Sequence, residues 1–201
     1  MTRIALAGAK GGQGTTTIAL ILAAALAQHA PTTIAAPQPA ELVALAAGSG
    51  LRQPPTQAAS QQLAQRLTAA SLNDGAHHPH STHYVLDLGT LTAAQTAAGG
   101  PADIRYVVHR GPDYLALWHH VRQNWAADGI ILQSEPGRAL RPTDATDITG
   151  IPVLATIPIT ATIARTIDAG LLLARLTTTP GLAPLLALAH TAGTSLTAAA
   201  S

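Results

Sequence analysis

The sequence predicts an α/β fold of three layers, α/β/α, around a mainly parallel sheet. Short β-rich apolar runs alternate with helical stretches along most of the chain, the pattern of strands joined by crossover helices. The first strand runs into a glycine-rich turn, Ala9-Lys10-Gly11-Gly12-Gln13-Gly14-Thr15-Thr16, that opens a helix. A strand, glycine loop and helix in that order form the local unit of a phosphate-binding P-loop.

Composition sets the wider bounds. A chain of 201 residues fits one domain with a proper core. Apolar residues make up 47%, yet Phe is absent and aromatics are 2%, so Ala, Leu, Ile and Val must fill the interior. Only 10% of residues are charged, which leaves solvation to Thr, Gln, Ser and His. A formal net charge of +1 argues against coating nucleic acid by bulk charge, without excluding a local arginine patch. The absence of cysteine rules out a disulfide framework or thiolate metal site and is compatible with a reducing cytosol. Lys10 is the only lysine, and its place inside a glycine loop suits a ligand better than solubility.

The elements follow in order. Arg3 to Ala7 is the first strand, and a helix runs from about Thr15 to Gln28. Thr32 to Ala36 is a short strand closed by Pro37 and Pro39, and Glu41 to Ala47 a brief helix ending at Gly48 and Gly50. The Gln/Ala/Leu pattern predicts a further helix over Pro55 to Ser71, with Leu63 and Leu67 on one face. Asn73 to Thr82 is a polar loop, and His83 to Leu88 a strand. Ile104 to His109 is the next strand, and Pro112 starts a helix reaching about Ala126. Gly129 to Gln133 is a strand, Thr143 to Ile148 a short helix and Pro152 to Ile157 the last strand. Ile163 to Leu176 reads as one helix with Gly170 as a candidate break. The domain spans 1–179; residues 180–201, without a charged side chain, form a packed C-terminal helix and an Ala/Thr-rich tail.

A signal peptide is the competing reading of the N-terminus, since Arg3 and Lys10 precede the apolar run Ile18 to Ala27 and Ala25-Leu26-Ala27 suits a cleavage site. The strand Ile4 to Ala7 and the glycine loop ahead of that run favour the strand–loop–helix unit instead. No apolar run reaches the ~18 residues of a membrane span.

Within the loop, Gly11, Gly12 and Gly14 let the backbone wrap closely around phosphates, with N–H groups aimed at the anion from the helix N-terminus. Thr16 stands at the P-loop Ser/Thr position, where its hydroxyl would serve Mg²⁺, and Thr15 caps the helix or binds a phosphate oxygen, with Thr17 following. The usual P-loop lysine would occupy position 15 and is missing.

Lys10-Gly11-Gly12-Gln13-Gly14-Thr15-Thr16 resembles the deviant Walker A loop of the ParA/MinD family of P-loop ATPases, and the order of motifs extends the resemblance over most of the chain. The resemblance implies a P-loop NTPase fold that binds ATP, less readily GTP, with Mg²⁺. Lys10 matches the lysine that in this family reaches across a nucleotide-sandwich dimer to the partner's phosphates. Asp87, after Tyr84-Val85-Leu86, matches the Walker B aspartate that holds Mg²⁺ through water, and Gly89 the place where the γ-phosphate is sensed. Ile157-Pro158 and the segment from Ile163 to Gly170 resemble the family's last strand and following helix, which flank the adenine, so Pro158 joins the site. Val108 to Leu115 resembles the family's strand-to-helix junction. Where the family carries two aspartates before Pro-Gln, this chain reads Ile34-Ala35-Ala36-Pro37-Gln38. Phosphoryl transfer depends on positioning and charge stabilisation. Loss of one such group costs ~10²–10³ in rate, so hydrolysis is expected to be weak or absent, with Lys10 the one candidate to replace the lost charge. Similar loop erosion marks the TadZ/CpaE-like branch.

Other constellations are less pointed. His77-His78-Pro79-His80 with His83 reads as solvated loop histidines rather than a tight metal site. His119 and His120 point to different sides of a helix, and Trp118 and Trp125 share one face as core or interface anchors. Arg110, Arg122, Arg138 and Arg141 read equally as a DNA-binding patch and as scattered solvated charges. MinD-like membrane targeting needs basic residues on a C-terminal helix, and none follows Arg175. The sequence therefore predicts a cytoplasmic, ATP-binding partition or positioning protein that forms a nucleotide-dependent homodimer and works with a partner protein. The alternative is an inactive scaffold or adaptor that keeps the fold for protein–protein contacts.

Overall fold

A computed structural model describes residues 1–8, 10–48, 60–72, 80–90, 102–111, 125–139 and 141–195. The described strands are β1 (Thr2–Gly8), β2 (Thr32–Ala36), β3 (Ser60–Ala64), β4 (Leu67–Ser71), β5 (His83–Thr90), β6 (Ile104–Arg110), β7 (Gly129–Ser134) and β8 (Val153–Pro158). The described helices are α1 (Thr15–Ala27), α2 (Pro39–Ala47), α3 (Pro142–Thr149), α4 (Ala161–Asp168) and α5 (Ala183–Ser195). The strands form one sheet in the order β3-β4-β2-β5-β1-β6-β7-β8. Every neighbouring pair is parallel except β3 and β4, which form an antiparallel hairpin at the edge.

Side chains alternate through the sheet into two apolar layers. Ile4, Leu6, Ile34, Val85, Val108 and Ile131 face one layer with α1, α2, α4 and α5. Ala5, Ala7, Leu86, Val107 and Leu132 face the other, with Trp125, Ala145 of α3 and Ile151. Helices thus cover both faces, as the alternating pattern predicts. Helix α1 lies between the sheet and α5, so Ile18 through Ala27 is buried without a polar face. Small alanine side chains let so central a helix pack on both sides.

The helix expected over Pro55 to Ser71 is corrected by β3 and β4, with residues 55–59 outside the described residues. Helix-favouring Gln, Ala and Leu are overridden because Leu67 and Ala69 alternate into the core while β4 bonds along β2. Gln62 Nε2 donates to the carbonyls of Ala64 and Gln65, closing the turn. Arg66 Nη1 donates to the His29 carbonyl just past the end of α1, pinning the hairpin there. The helix expected over Ile163 to Leu176 ends at Asp168. Gly170 takes φ +68°, and a Cβ there would lie 2.1 Å from the Ala47 carbonyl oxygen. That approach between the ends of α2 and α4 stops the helix, and turns follow. The helix expected over Pro112 to Ala126 lies outside the described residues, apart from Trp125 and Ala126, which are not helical.

Candidate functional site

In an open parallel sheet, ligands bind beyond the carboxyl ends of the strands where the strand order reverses. Here β2 to β5 all lie on one side of β1, with β5 returning to pair with it, and the chain then crosses β1 to continue with β6 on the other side. The glycine loop leaves β1 at that point. Gly12 and Gly14 adopt φ of +78° and +72°, a region that disfavours side chains, so glycine is required where the loop curls. Gly14 is the N-cap of α1 and offers no side chain to it, and the first turn holds no acidic residue. The first intrahelical bond is Ile18 N–H to Gly14 O, so the N–H groups of Thr15, Thr16 and Thr17 precede the ladder. A long helix beginning this way is suited to an anion.

Asp87 shares the face of Val85, toward α1, and is 1% exposed. Its carboxylate is hydrogen-bonded by Thr16. It also accepts the Gly89 N–H at 2.9 Å. Gly89 has φ +59°, where the β1–β5 register shifts between Leu6 and Gly8. The bulge turns the N–H of Gly89, the residue at the expected phosphate-sensing position, back onto Asp87. Burial pushes the Asp87 pKa above the ordinary carboxylate range, the bonds from Thr16 and Gly89 oppose that rise, and the charge of Glu41 adds to it. A buried acid in this state favours a nearby cation. The hydroxyl of Thr16 beside it completes an oxygen donor pair of the kind Mg²⁺ takes together with phosphate oxygens and water. The residues present therefore fit a Mg²⁺–nucleotide.

The remaining predicted residues gather at the same end. Lys10, Gly11 and Gly12 are exposed. A Cβ on Gly11 would lie 3.8 Å from Thr90 Oγ1 at the end of β5. Thr15 is buried, its Oγ1 packed so closely on Gly8 that a Cβ there would lie at 2.8 Å. Pro158 pairs in register with Ser134 on the same edge and packs against Gly181. Ala36, where the family's second aspartate would stand, is buried in the α1-side core. Ala9 lies outside the described residues, as do Trp118, His119, His120 and Arg122.

Gln13 does not present its side chain to the cradle. It is 2% exposed, and its Oε1 accepts the Arg110 N–H at 2.9 Å. Gln133 Nε2 donates to the Gln13 carbonyl. Sequence reasoning missed Gln133 and Glu41; the available signal was a polar residue at the carboxyl end of a parallel strand and a carboxylate just past the emptied β2 element. Arg110 and Arg138 both pair with Glu135, at 2.6 and 2.9 Å, and hold its carboxyl below its usual range. Two members of the supposed arginine patch are thus engaged with one carboxylate, and at Arg141 it is the backbone N–H that donates to Asp144 Oδ2, at 2.8 Å, at the start of α3. His77, His78 and Pro79 lie outside the described residues, His80 is exposed and His83 is buried at the start of β5. Among the described residues no group of three or more His, Asp or Glu side chains is placed to hold a metal ion.

The glycine loop, the buried aspartate on the adjacent strand and the sheet order together define the α/β fold of P-loop nucleoside triphosphatases. Within that class the chain has the fold of the MinD and ParA ATPases. It superposes on MinD from Pyrococcus horikoshii OT3, a septum site-determining protein complexed with Mg-ADP, with a TM-score of 0.75 and 16% identity over 97% of each chain. It matches a ParA family ATPase from Chlorobium tepidum TLS with a TM-score of 0.75 and 14% identity, covering 94% of this chain and 97% of that one. A McdA–ATP complex from Cyanothece matches with a TM-score of 0.72 and 15% identity over 96% of each chain. No protein-family model matches the sequence, and no curated protein matches it in sequence.

Proposed function

We propose that this chain is a ParA/MinD-like partition or positioning protein that binds ATP with Mg²⁺ and forms a homodimer on the nucleotide, with weak or absent hydrolysis. The observation that carries this reading is the buried Asp87, hydrogen-bonded by Thr16 directly beneath an uncapped glycine loop. In this reading the N–H groups from Gly11 to Thr17 hold the phosphates. Thr16 and Asp87 orient Mg²⁺, which would neutralise phosphate charge, and Pro158 borders the base. Lys10, exposed at the entrance of the loop, supplies the positive charge, toward its own phosphates or those of a second copy. Thr15 and Ala36 supply neither the charge nor the carboxylate that efficient phosphoryl transfer needs. The partner protein and any DNA contact belong to the same reading, as does a cytoplasmic location. Among the described residues no helix is long and apolar enough to cross a membrane.

Thermal unfolding with and without ATP and Mg²⁺ tests the site. At a hundred times Kd the ligand contributes about 2.7 kcal/mol, a rise of roughly 5–10 °C for a chain of this size. Lys10→Ala should remove most of that rise. No shift at millimolar ATP would favour the scaffold reading. The double substitution Thr15→Lys with Ala36→Asp should raise phosphate release above that of the unmodified protein if hydrolysis has been lost through these two positions.

A further inference from the structure

The glycine loop is tied down by side chains that do not belong to it. Gln13 is held at both ends: its side-chain Oε1 accepts from the Arg110 backbone at the end of β6, and its main-chain carbonyl accepts from Gln133 at the end of β7. The amide of Gln133 lies so close over Gly14 that a Cβ there would sit 2.5 Å from its Nε2. A side chain at position 14 would therefore displace the Gln133 amide from the Gln13 carbonyl, besides resisting the φ of +72°. Arg110 is anchored in turn, its Nε bonded to Glu135 at 2.6 Å, and Glu135 to Arg138 at 2.9 Å.

A trans peptide points its C=O and N–H in opposite directions. With the Gln13 carbonyl drawn toward Gln133, the N–H of Gly14 is turned to the face of the loop away from β7. We infer that Gln133 is the positioning residue of the loop, setting the Gln13–Gly14 peptide so that the Gly14 N–H is offered to a phosphate oxygen. In a loop whose own lysine is replaced by Thr15, neutral hydrogen bonds from the sheet then supply the preorganisation. The inference rests on the nucleotide-binding reading only for the ligand that the N–H serves.

Gln133→Glu and Gln133→Ala separate the hydrogen bond from packing. An ionised Glu nearly conserves shape but carries no donor for the Gln13 carbonyl. Backbone ¹⁵N relaxation of the ligand-free protein should show the amides of Gly14 and Thr15 falling from an order parameter of about 0.85 to below about 0.6 in both variants. The melting temperature should stay within a few degrees. Titration with fluorescent ADP and Mg²⁺ should show affinity weakened about 3- to 10-fold, the worth of one hydrogen bond. Unchanged order parameters in Gln133→Glu would overturn the inference. If the unmodified protein binds no nucleotide, the function proposed above falls, while the relaxation measurement still decides whether Gln133 sets the loop.

Discussion

Replacing His109 with leucine should flatten the acid limb of the stability profile. His109 is fully buried on β6, on the face of Val107, with Leu132 as its register neighbour on β7. Burial lowers its pKa from 6.5 to about 4. The folded state thus binds this proton less readily than the unfolded chain. The neutral imidazole's contribution is complete above pH 6.5 and is lost as pH falls toward 4. At about 1.4 kcal/mol per pKa unit, the drop of roughly two and a half units amounts to about 3.4 kcal/mol in full, of which about 2 kcal/mol is lost by about pH 5. Urea unfolding of the natural chain and of His109→Leu, each at pH 7.5 and pH 5.0, reads this directly. His83, also lowered by burial, and Asp87, raised by it, titrate in both proteins and cancel in the difference. The natural chain should lose about 2 kcal/mol more than the variant over that interval. Parallel losses would refute the assignment of a buried neutral imidazole at this position.

Asp87→Asn should leave the ligand-free protein as stable at pH 7 or more so, because burial disfavours the charge it removes. The same variant should lose the Mg²⁺-dependent part of any ATP-induced rise in melting temperature, and a rise equal to that of the natural chain would count against Asp87 as the metal-side carboxylate. Gly170→Ala forces a Cβ into the Ala47 carbonyl at a backbone angle that side chains resist. It should cost about 3 kcal/mol, roughly 6–12 °C in calorimetry, and a loss below 2 °C would mean that the ends of α2 and α4 separate freely.

How far the fold could be read from the sequence depended on the range of the forces involved. β1, the glycine loop and α1 were legible because apolar alternation, glycine and a helix start act within a few residues of one another. The strands at Thr32–Ala36 and Ile104–Arg110 were legible for the same reason. The segment 60–71 was not, since its local preferences favour a helix and only the free edges of β2 and β4 make the hairpin the better use of its backbone. For α4, Gly170 marked a candidate break in the sequence, but that the helix stops at Asp168 depends on a backbone from α2 more than a hundred residues earlier in the chain.

The candidate site divides along the same line. Its chemical parts, from Lys10 to Thr17 with Asp87, and its missing parts, at Thr15 and Ala36, are properties of the sequence. Tertiary structure decided how those parts meet: Asp87 beneath Thr16, Gly89 turned back onto Asp87, and Gln13 held between Arg110 and Gln133. Residue type limits what a group can bind, while orientation follows from partners that lie as many as 120 residues away along the chain and come together only when the sheet closes over its core.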